Sequence, residues 1–277
     1  MTIIVCGAGT MGRGIAETAA RSGYDTILFD LEETVLQHAK IIIDKSLQQQ
    51  VISGRMNEED KNATHARIHF TNNISQCKGD IVIEAIVESP EPKIELFTTL
   101  ALINDNNTIF ATNTSSLSVS MIGNNIPHPE RFCGMHFFNP PQVMKLVEVV
   151  EGEKTAPWVT GKINGLVSAM GKFPVSCKDS PGFIVNRVAR HYYLEALQLL
   201  ELGIDIEQTD RILESCGFKM GPFRLMDLIG NDINYAVTKS LYEACGKPLR
   251  LKPSTIQESK LDNGELGRKT GKGFYSY

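Results

Sequence analysis

The stretch IIVCGAGTMGRGIAETAARSGYDTILFD, residues 3–30, decides the fold of the first part of this chain. It opens with a β-branched apolar run at residues 3–5, which is typical of a buried strand. A glycine-rich turn follows at residues 7–12, and then an alanine-rich segment with helical character that stops at Gly23. A second apolar run, residues 26–29, ends in the carboxylate of Asp30. The order strand, glycine turn, helix, strand, acid predicts a parallel βαβ unit.

Each part of this unit suits a dinucleotide. Gly7 permits a tight turn out of the strand, Gly9 lets the backbone approach a pyrophosphate, and Gly12 lets the helix pack closely on the strand. The free N–H groups and the positive dipole at the start of the helix attract phosphates. The predicted cofactor-binding residues of the turn are therefore Gly7, Ala8, Gly9, Thr10, Met11 and Gly12. A glycine turn without a ligand is the alternative.

Asp30 indicates which dinucleotide is bound. It stands 18 residues after Gly12, close to the ~20 residues expected of the acid that binds the ribose diol. A 2′-phosphate at this place would be repelled, and Leu31 offers no positive charge. These residues predict NAD rather than NADP as cofactor.

The composition narrows the class of protein. A chain of 277 residues, 42% of them hydrophobic, is long enough for two domains with a sizeable core. Its net charge of −4 gives no indication of nucleic-acid or membrane partners. The six cysteines lie far apart without a CxxC motif, which predicts buried, reduced thiols in a cytoplasmic protein. The first strand begins almost at Met1, so we expect no signal peptide, and no apolar run approaches the ~18 residues of a membrane helix.

Two histidines raise the question of a metal. His65 and His69 are four residues apart and could share one helix face, a spacing that can bind metal. There is no HExxH motif and no obvious third ligand. We therefore predict no metal site and two solvated histidines ahead of a short strand.

The rest of the chain reads as an α/β domain followed by an all-α domain. A helix over residues 32–50 and a second one from about residue 57 form a helical pair inserted between strands, which either packs on the sheet edge or holds a long substrate. A buried parallel strand is expected at residues 81–85, a helix after Pro92, a short strand at residues 108–111, a helix at 157–171 and a last strand at 173–177. This pattern predicts a Rossmann-type, mostly parallel sheet with a helical-hairpin insertion in residues 1–180.

The second domain, residues 181–277, is predicted to be all-α. Ser180 is a candidate cap and Pro181 fits the first turn of a helix over residues 181–202. This helix is apolar on more than one face, so it is buried or lies at an interface, and we read it as the spine of the domain and of a dimer. Further helices are expected at residues 205–215 and 224–244. The basic, glycine-rich tail after Gly267 either folds back on an anionic group or is a solvated end.

Chemistry-bearing residues follow several predicted strands. The NTSS run at residues 113–116 ends a strand on the side where ligands bind, although such residues also cap helices. His136 ends one strand and Glu148 lies within the next, and the two come within hydrogen-bond reach if these strands are neighbours. A lone histidine is more often structural than catalytic, and this alternative stays open here.

Several motifs in order resemble one family along residues 3–277. They are GAGTMGRGIA, IVIEAIVE, NTSSLS, GMHFFNPPQVMKLVEVV, DSPGFIVNR, GPFRLMDLIG and GRKTGKGFYSY. With these motifs the chain resembles the short-chain L-3-hydroxyacyl-CoA dehydrogenases, especially the bacterial 3-hydroxybutyryl-CoA dehydrogenases. The resemblance implies oxidation of the C3 hydroxyl of an acyl-CoA by NAD in fatty-acid or butanoate metabolism, and a homodimer formed through the second domain.

The resemblance also implies roles for individual residues. His136 matches the general acid/base and Glu148 its carboxylate partner. Ser115 and Asn186 match the groups that hold substrate, in a cleft between the two domains. The positions that match NAD contacts outside the turn are Asp30, Glu88, Lys93, Ser115, Asn139 and Lys269. In the helix pair Ser46 matches a coenzyme A contact, whereas Ser53 stands where some relatives have a lysine, with Arg55 nearby.

Two other functions are considered beside this one. The first is an NAD-dependent dehydrogenase of a CoA-free hydroxy acid or sugar acid with the same fold and the same dyad, which predicts turnover without CoA. The second is a non-catalytic NAD-binding protein, which would predict damage to the dyad.

Overall fold

A mostly parallel, eight-stranded sheet forms the centre of the first of two units, residues 1–180; the second unit is residues 181–277. The structure, a computed structural model, describes residues 1–277. The strands are β1 (Thr2–Cys6), β2 (Asp25–Phe29), β3 (Ile68–Thr71), β4 (Ile81–Glu84), β5 (Ile109–Thr112), β6 (Phe132–Phe137), β7 (Leu146–Glu151) and β8 (Phe173–Lys178). Their order is β3-β2-β1-β4-β5-β6-β7-β8, and only β6 and β7 run antiparallel. The predicted α/β fold class is confirmed.

Six α-helices accompany this sheet. They are α1 (Thr10–Arg21), α2 (Glu33–Ile52), α3 (Glu58–Ala66), α4 (Pro90–Ile103), α5 (Val119–Gly123) and α6 (Pro157–Ala169). Ile15 and Ala19 of α1 are fully buried and belong to one core with Ile3 and Val5 of β1. The helix α4 begins at Pro90, earlier than the predicted start after Pro92, because proline is well suited to the first helical turn, where no N–H donor is needed.

The helices α2 and α3 form the predicted hairpin insertion. Leu36, Ala39, Ile43 and Leu47 recur at helical spacing along the buried side of α2. Asn57 caps α3, since its side chain accepts a hydrogen bond from the N–H of Asp60 at 2.7 Å.

The two histidines, whose spacing would have allowed them to share a helix face, lie in different elements. The helix α3 ends at Ala66, which leaves His65 in the helix and places His69 in β3. His65 pairs instead with Asp44 of α2, at 3.1 Å between Nε2 and Oδ1. No group of three or more His, Cys, Asp or Glu side chains is arranged to hold a metal ion.

The second unit is all-α, as predicted. Its helices are α7 (Val185–Glu201), α8 (Ile206–Ser215), α9 (Pro222–Ile229), α10 (Asn231–Ala244) and α11 (Thr255–Asp262). A separate core holds Tyr193, Leu194 and Leu197 of α7 with Phe223 and Met226 of α9.

Two predicted helix boundaries in this unit were wrong. The helix α7 begins at Val185, not at Pro181, because Gly182 (φ +72°) and Phe183 (φ +48°) adopt left-handed backbone conformations. Ser180 therefore caps no helix. The single helix expected over residues 224–244 is divided into α9 and α10 by Gly230, at φ +104°.

The apolar residues of α7 divide between two environments. Leu194 and Leu197 are buried, whereas Val188 is 64% exposed and Leu202, just after the helix, is 80% exposed. The helix therefore buries one face in its own unit and leaves apolar side chains on another. No helix of the structure combines the length with the apolar character that a bilayer crossing needs.

The cysteines are all free thiols, but the prediction that all are buried was wrong. Cys6, Cys77 and Cys133 are buried, whereas Cys177 and Cys245 are half-buried and Cys216 is exposed. The buried three lie within or next to the apolar strands of the sheet, while the other three lie at the sheet edge or in the helical unit.

The C-terminal tail folds back on an anionic group within the second unit. The buried carboxylate of Asp227 accepts hydrogen bonds from the N–H groups of Phe274 and Tyr275, both at 2.9 Å, and from the hydroxyl of Tyr277 at 3.1 Å. Of the two alternatives for the tail, the structure shows the first.

Candidate active site

The glycine turn leaves open space where a ligand would approach. A Cβ on Gly12 would lie 1.7 Å from the carbonyl oxygen of Gly7, and a Cβ on Gly7 would lie 2.5 Å from that of Ala85. Packing within the protein thus explains these two glycines. A Cβ on Gly9 would meet no atom within 4 Å. Gly9 has no such packing reason, and the space beside it fits the close approach of a pyrophosphate.

The start of α1 is also prepared for an anion. Gly9 occupies the cap position, no side chain accepts from the first N–H groups, and the first turn contains no acidic residue. Four backbone donors at a helix start have no partner within the helix. Together with the helix dipole they favour a phosphate at this place.

Asp30 lies beside the same turn. Its carboxylate accepts from the N–H of Ala8 at 2.7 Å and from the N–H of Glu32 at 3.1 Å. A cavity of about 650 Å³ is lined by Gly7, Gly9, Asp30 and Leu31, among others. No lysine or arginine lines this cavity. A site without a positive charge fits a ribose diol better than a 2′-phosphate.

A buried ion-pair network joins β4, β5 and the helix α4 at this edge of the sheet. The ammonium of Lys93, which is 1% exposed, lies 2.5 Å from Glu84 and 3.2 Å from Glu88. Burial raises the pKa of Glu84, and its bonds to Lys93 and to the hydroxyl of Thr112 only partly offset this. Lys93, predicted to contact NAD, is thus engaged with two carboxylates.

Glu88 shapes the turn after β5. It accepts from the hydroxyl of Thr114 at 2.6 Å and from the N–H groups of Ser115 at 3.0 Å and Ser116 at 3.3 Å. Burial alone would raise its pKa, but these bonds and the charge of Lys93 outweigh it, and the pKa of Glu88 is lowered. The structure therefore brings three predicted residues, Glu88, Lys93 and Ser115, into one network.

The sequence assigned no role to Glu84, and it included Thr114 only as one member of the NTSS run. The available signal for Glu84 was a carboxylate that ends the otherwise apolar run IVIE of a buried strand. A charge at such a position calls for a buried partner, and Lys93 provides it.

His136 and Glu148 face each other across the antiparallel pair β6–β7. They are direct register partners, and His136 Nδ1 lies 2.7 Å from Glu148 Oε2. Both side chains are buried, with His136 6% and Glu148 1% exposed. The ring of Phe138 lies 4.6 Å from the imidazole, centre to centre. The condition set by the sequence, that the two strands be neighbours, is met.

The imidazole and the glycine turn lie at the same edge of the sheet. The strands β1, β4, β5 and β6 all run parallel, so the ends of β1 and β6 point the same way. Asn113, after β5, ties this edge together because its side-chain oxygen accepts from the N–H of Phe137 at 2.8 Å. Carboxyl ends of parallel strands are where ligands of such sheets bind.

The segment after β6 carries Asn139, whose peptide bond to Pro140 is cis. The segment is held from two sides. The buried ammonium of Lys172 donates to the carbonyl oxygens of Pro141 and Met144. On the other side Gln142 donates to Glu17 of α1 at 3.1 Å.

Ser46 of the hairpin lies against α1. Its hydroxyl donates to Glu17 Oε1 at 3.0 Å, and Gln50 donates to the same oxygen at 2.9 Å. Burial raises the pKa of Glu17, with these bonds opposing it. The role of Ser46 as a coenzyme A contact stays a prediction.

Two predicted residues belong to the second unit. Asn186 lies in the first turn of α7 and is half-buried, and its carbonyl oxygen accepts from Arg190 Nε at 3.3 Å. Lys269 forms an ion pair with Asp232 at 2.6 Å. Their roles toward substrate and NAD also stay predictions.

Comparison with known proteins gives matches along the whole chain. The family described as 3-hydroxyacyl-CoA dehydrogenase, NAD binding domain, matches residues 2–180, and 3-hydroxyacyl-CoA dehydrogenase, C-terminal domain, matches residues 182–277. A 3-hydroxyadipyl-CoA dehydrogenase of Escherichia coli is 44% identical over 100% of this chain, which spans 59% of that relative's length. A probable 3-hydroxybutyryl-CoA dehydrogenase of Deinococcus radiodurans is 37% identical over 99% of both chains.

A solved structure shows the same similarity in three dimensions. The crystal structure of a 3-hydroxybutyryl-CoA dehydrogenase from Escherichia coli K12 superposes with a TM-score of 0.97 at 43% identity. The match covers 100% of this chain and 59% of that one.

Proposed function

Because the chain belongs to the 3-hydroxyacyl-CoA dehydrogenase family, whose first domain binds NAD, we propose that it oxidises a (3S)-3-hydroxyacyl-CoA of short chain, such as 3-hydroxybutyryl-CoA, to the 3-ketoacyl-CoA. The same site serves the reverse reaction. The observation that carries this proposal is the buried His136–Glu148 pair, 2.7 Å apart, at the sheet edge that bears the glycine turn.

The proposed chemistry divides the work between cofactor and protein. When bound at the glycine turn and Asp30, NAD would supply the redox chemistry as the acceptor of the C3 hydride. His136 takes the proton of the C3 hydroxyl, so that the C–H and O–H bonds break and a C=O bond forms without a charged carbinol. Because Nδ1 faces Glu148, proton exchange with substrate is assigned to Nε2. Glu148 fixes the ring tautomer and stabilises the imidazolium as it forms.

The other predicted residues complete the proposal. We assign NAD binding, either by direct contact or by shaping the site, to the turn at residues 7–12 and to Asp30, Glu88, Lys93, Asn139 and Lys269. Ser115 and Asn186 hold the substrate oxygen, and Ser46 contacts coenzyme A. We also propose that the protein is cytoplasmic. In the same proposal residues 1–180 bind NAD and residues 181–277 form the substrate and dimerisation domain.

The test is reduction of acetoacetyl-CoA by NADH with the purified protein, followed as loss of NADH absorbance. We expect turnover, and we expect His136→Ala to keep NADH affinity while losing about 10²-fold or more in kcat. Absence of turnover while NADH still binds would refute the proposed reaction. Near wild-type kcat in the variant would remove His136 from its role.

Free acetoacetate is the control substrate in the same assay. Comparable kcat/KM with and without CoA would favour the alternative, a dehydrogenase of a CoA-free hydroxy or sugar acid. The other alternative, a non-catalytic NAD-binding protein, predicts a damaged dyad. The paired and buried side chains of His136 and Glu148 argue against it.

We also propose a homodimer formed through the second unit. Val188, Leu202 and Leu249 expose 64%, 80% and 84% of their surfaces. Apolar side chains exposed together mark interaction surfaces when they form a patch. Sedimentation equilibrium is expected to give about twice the chain mass of 30.6 kDa, and a mass equal to one chain would contradict the dimer.

A further inference from the structure

A buried arginine in α7 has no carboxylate partner. Arg190 is 4% exposed, and its Nη1 donates to the carbonyl and side-chain oxygens of Asn234 at 2.9 and 3.3 Å and to the hydroxyl of Thr238 at 3.0 Å. All of these acceptors are neutral. No carboxylate oxygen lies within 4.0 Å of the guanidinium, unlike the buried Lys93, which is paired with two. Burial lowers the pKa of Arg190 to about 10, so the charge persists at neutral pH.

A second donor beside it has no acceptor. Asn234 is 1% exposed, and its side-chain oxygen accepts from Arg190 Nη1 and from Gln257 Nε2, at 3.3 and 3.0 Å. Asn234 Nδ2 is buried without a hydrogen-bond partner. Gln257 Oε1, on the same pair of amides, is also buried without a hydrogen-bond partner. A buried charge without an anion and a buried donor without an acceptor both cost stability.

The missing partner is an anionic acceptor, and the position of Arg190 suggests where it comes from. Asn186 and Arg190 are four residues apart on α7, so they lie on the same helix face, about 6 Å apart along the axis. Asn186 is the residue assigned above to the substrate oxygen at C3. A six-carbon chain continues three C–C bonds past C3, a reach of roughly 4 Å. A carboxylate at its end would therefore come close to the guanidinium.

We propose that Arg190, with the side-chain amide of Asn234, recognises a terminal carboxylate on the acyl chain, so that the enzyme favours dicarboxylic 3-hydroxyacyl-CoA substrates. This assignment rests on the proposed dehydrogenase function and adds to it the chemistry of the acyl end. Arginine suits this task because its planar guanidinium presents several donors to a carboxylate, which is stronger than a neutral hydrogen bond.

The experiment compares two substrates that differ only at the far end of the chain. 3-Hydroxyadipyl-CoA and 3-hydroxyhexanoyl-CoA both have six acyl carbons, and one ends in a carboxylate where the other ends in a methyl group. We expect wild-type kcat/KM to be about 10- to 100-fold higher for the carboxylate. In Arg190→Met the preference is expected to disappear or reverse, and Arg190→Lys should keep part of it.

The exposed Arg187, three residues earlier on the same helix, supplies the matched control. Arg187→Met removes the same charge but should leave the ratio of the two kcat/KM values unchanged. Because both substrates are measured on one variant, a general loss of activity cancels in this ratio. A wild-type ratio near one, or an unchanged ratio in Arg190→Met, would overturn the assignment.

Binding to the wild-type enzyme gives a test that does not require any variant to fold. Adipyl-CoA and hexanoyl-CoA, which lack the C3 hydroxyl, are compared as competitors of acetoacetyl-CoA. We expect an inhibition constant about tenfold lower for adipyl-CoA, and equal constants would refute carboxylate recognition. Failure of the proposed function itself has a different signature, since acetoacetyl-CoA would then not be reduced at all.

Discussion

Replacing Glu148 by glutamine tests the proposed dyad most directly. The substitution keeps the size and shape of the side chain but removes its charge. The Glu148 side chain is 1% exposed, and its Oε2 lies 2.7 Å from His136 Nδ1. The strand register that sets His136 opposite Glu148 belongs to the backbone and is not altered. The variant therefore isolates the charge from the geometry.

The expected loss follows from the charge that develops on the imidazole. When His136 takes the substrate proton, the new positive charge lies about 4 Å from the centre of the carboxylate. Two unit charges at that distance interact by about 4 kcal/mol at an effective dielectric constant of 20. At 1.36 kcal/mol per factor of ten, this predicts a decrease in kcat of about 10³-fold. A glutamine N–H directed at Nδ1 would also favour the wrong ring tautomer, which acts in the same direction.

The assay is steady-state oxidation of 3-hydroxybutyryl-CoA by NAD, followed as NADH formation, with the NADH dissociation constant measured separately by fluorescence titration. Glu148→Gln is expected to lower kcat without changing NADH affinity. Glu151→Gln is the matched control, because it makes the same chemical change on the same strand, at a carboxylate that pairs with the exposed Lys178. A decrease in kcat below about tenfold in Glu148→Gln, with both variants equally folded, would show that Glu148 does not stabilise an imidazolium.

The glycine turn, Asp30 and Glu88 provide further tests of cofactor binding and folding. Gly9→Ala is expected to melt at the wild-type temperature but to bind NADH at least about tenfold more weakly. Its Cβ enters only the space left beside the turn. Gly12→Ala should melt at a lower temperature, since its Cβ would lie 1.7 Å from the carbonyl oxygen of Gly7. Equal effects of the two substitutions on melting and affinity would contradict this. Asp30→Ser should raise kcat/KM for NADPH relative to NADH by about tenfold or more through loss of the repulsive charge, and an unchanged ratio would refute the NAD assignment. The pKa of Glu88 is lowered from 4.5, so its charge contributes stability that is present above pH 4.5 and lost as pH falls through the folded-state pKa. In urea unfolding, the stability lost in Glu88→Gln should therefore shrink from pH 7 toward about pH 3, and a pH-independent difference would contradict it.

The features that sequence could predict are those encoded locally. Gly7, Gly9, Gly12 and Asp30 lie within one βαβ unit, and their spacing alone specifies the turn, the helix start and the acid at the second strand end. The division between an α/β and an all-α part is similarly visible in the alternation of apolar runs and helical segments.

The features that sequence missed depend on distant residues or on single backbone angles. The network of Glu84, Lys93 and Glu88 forms only when β4, α4 and the turn after β5 meet, and no spacing along the chain shows that Lys93 is buried. The start of α7 was displaced because Phe183 adopts φ +48°, an uncommon conformation for a bulky residue that propensity does not anticipate. The division at Gly230 had a signal, a glycine within a helical pattern, but the pattern around it was stronger.

The proposed catalytic pair depends on the one antiparallel pairing in the sheet. Only residues 138–145 connect β6 to β7, and this segment is too short for the crossover that a parallel strand would need. The chain must therefore turn back, which sets Glu148 directly across from His136 and directs both side chains to the same face. A shift of one residue in this register would turn Glu148 to the opposite face. Lys172 and Gln142, which hold the connecting segment from two sides, thus help to maintain the register on which the proposed proton transfer depends.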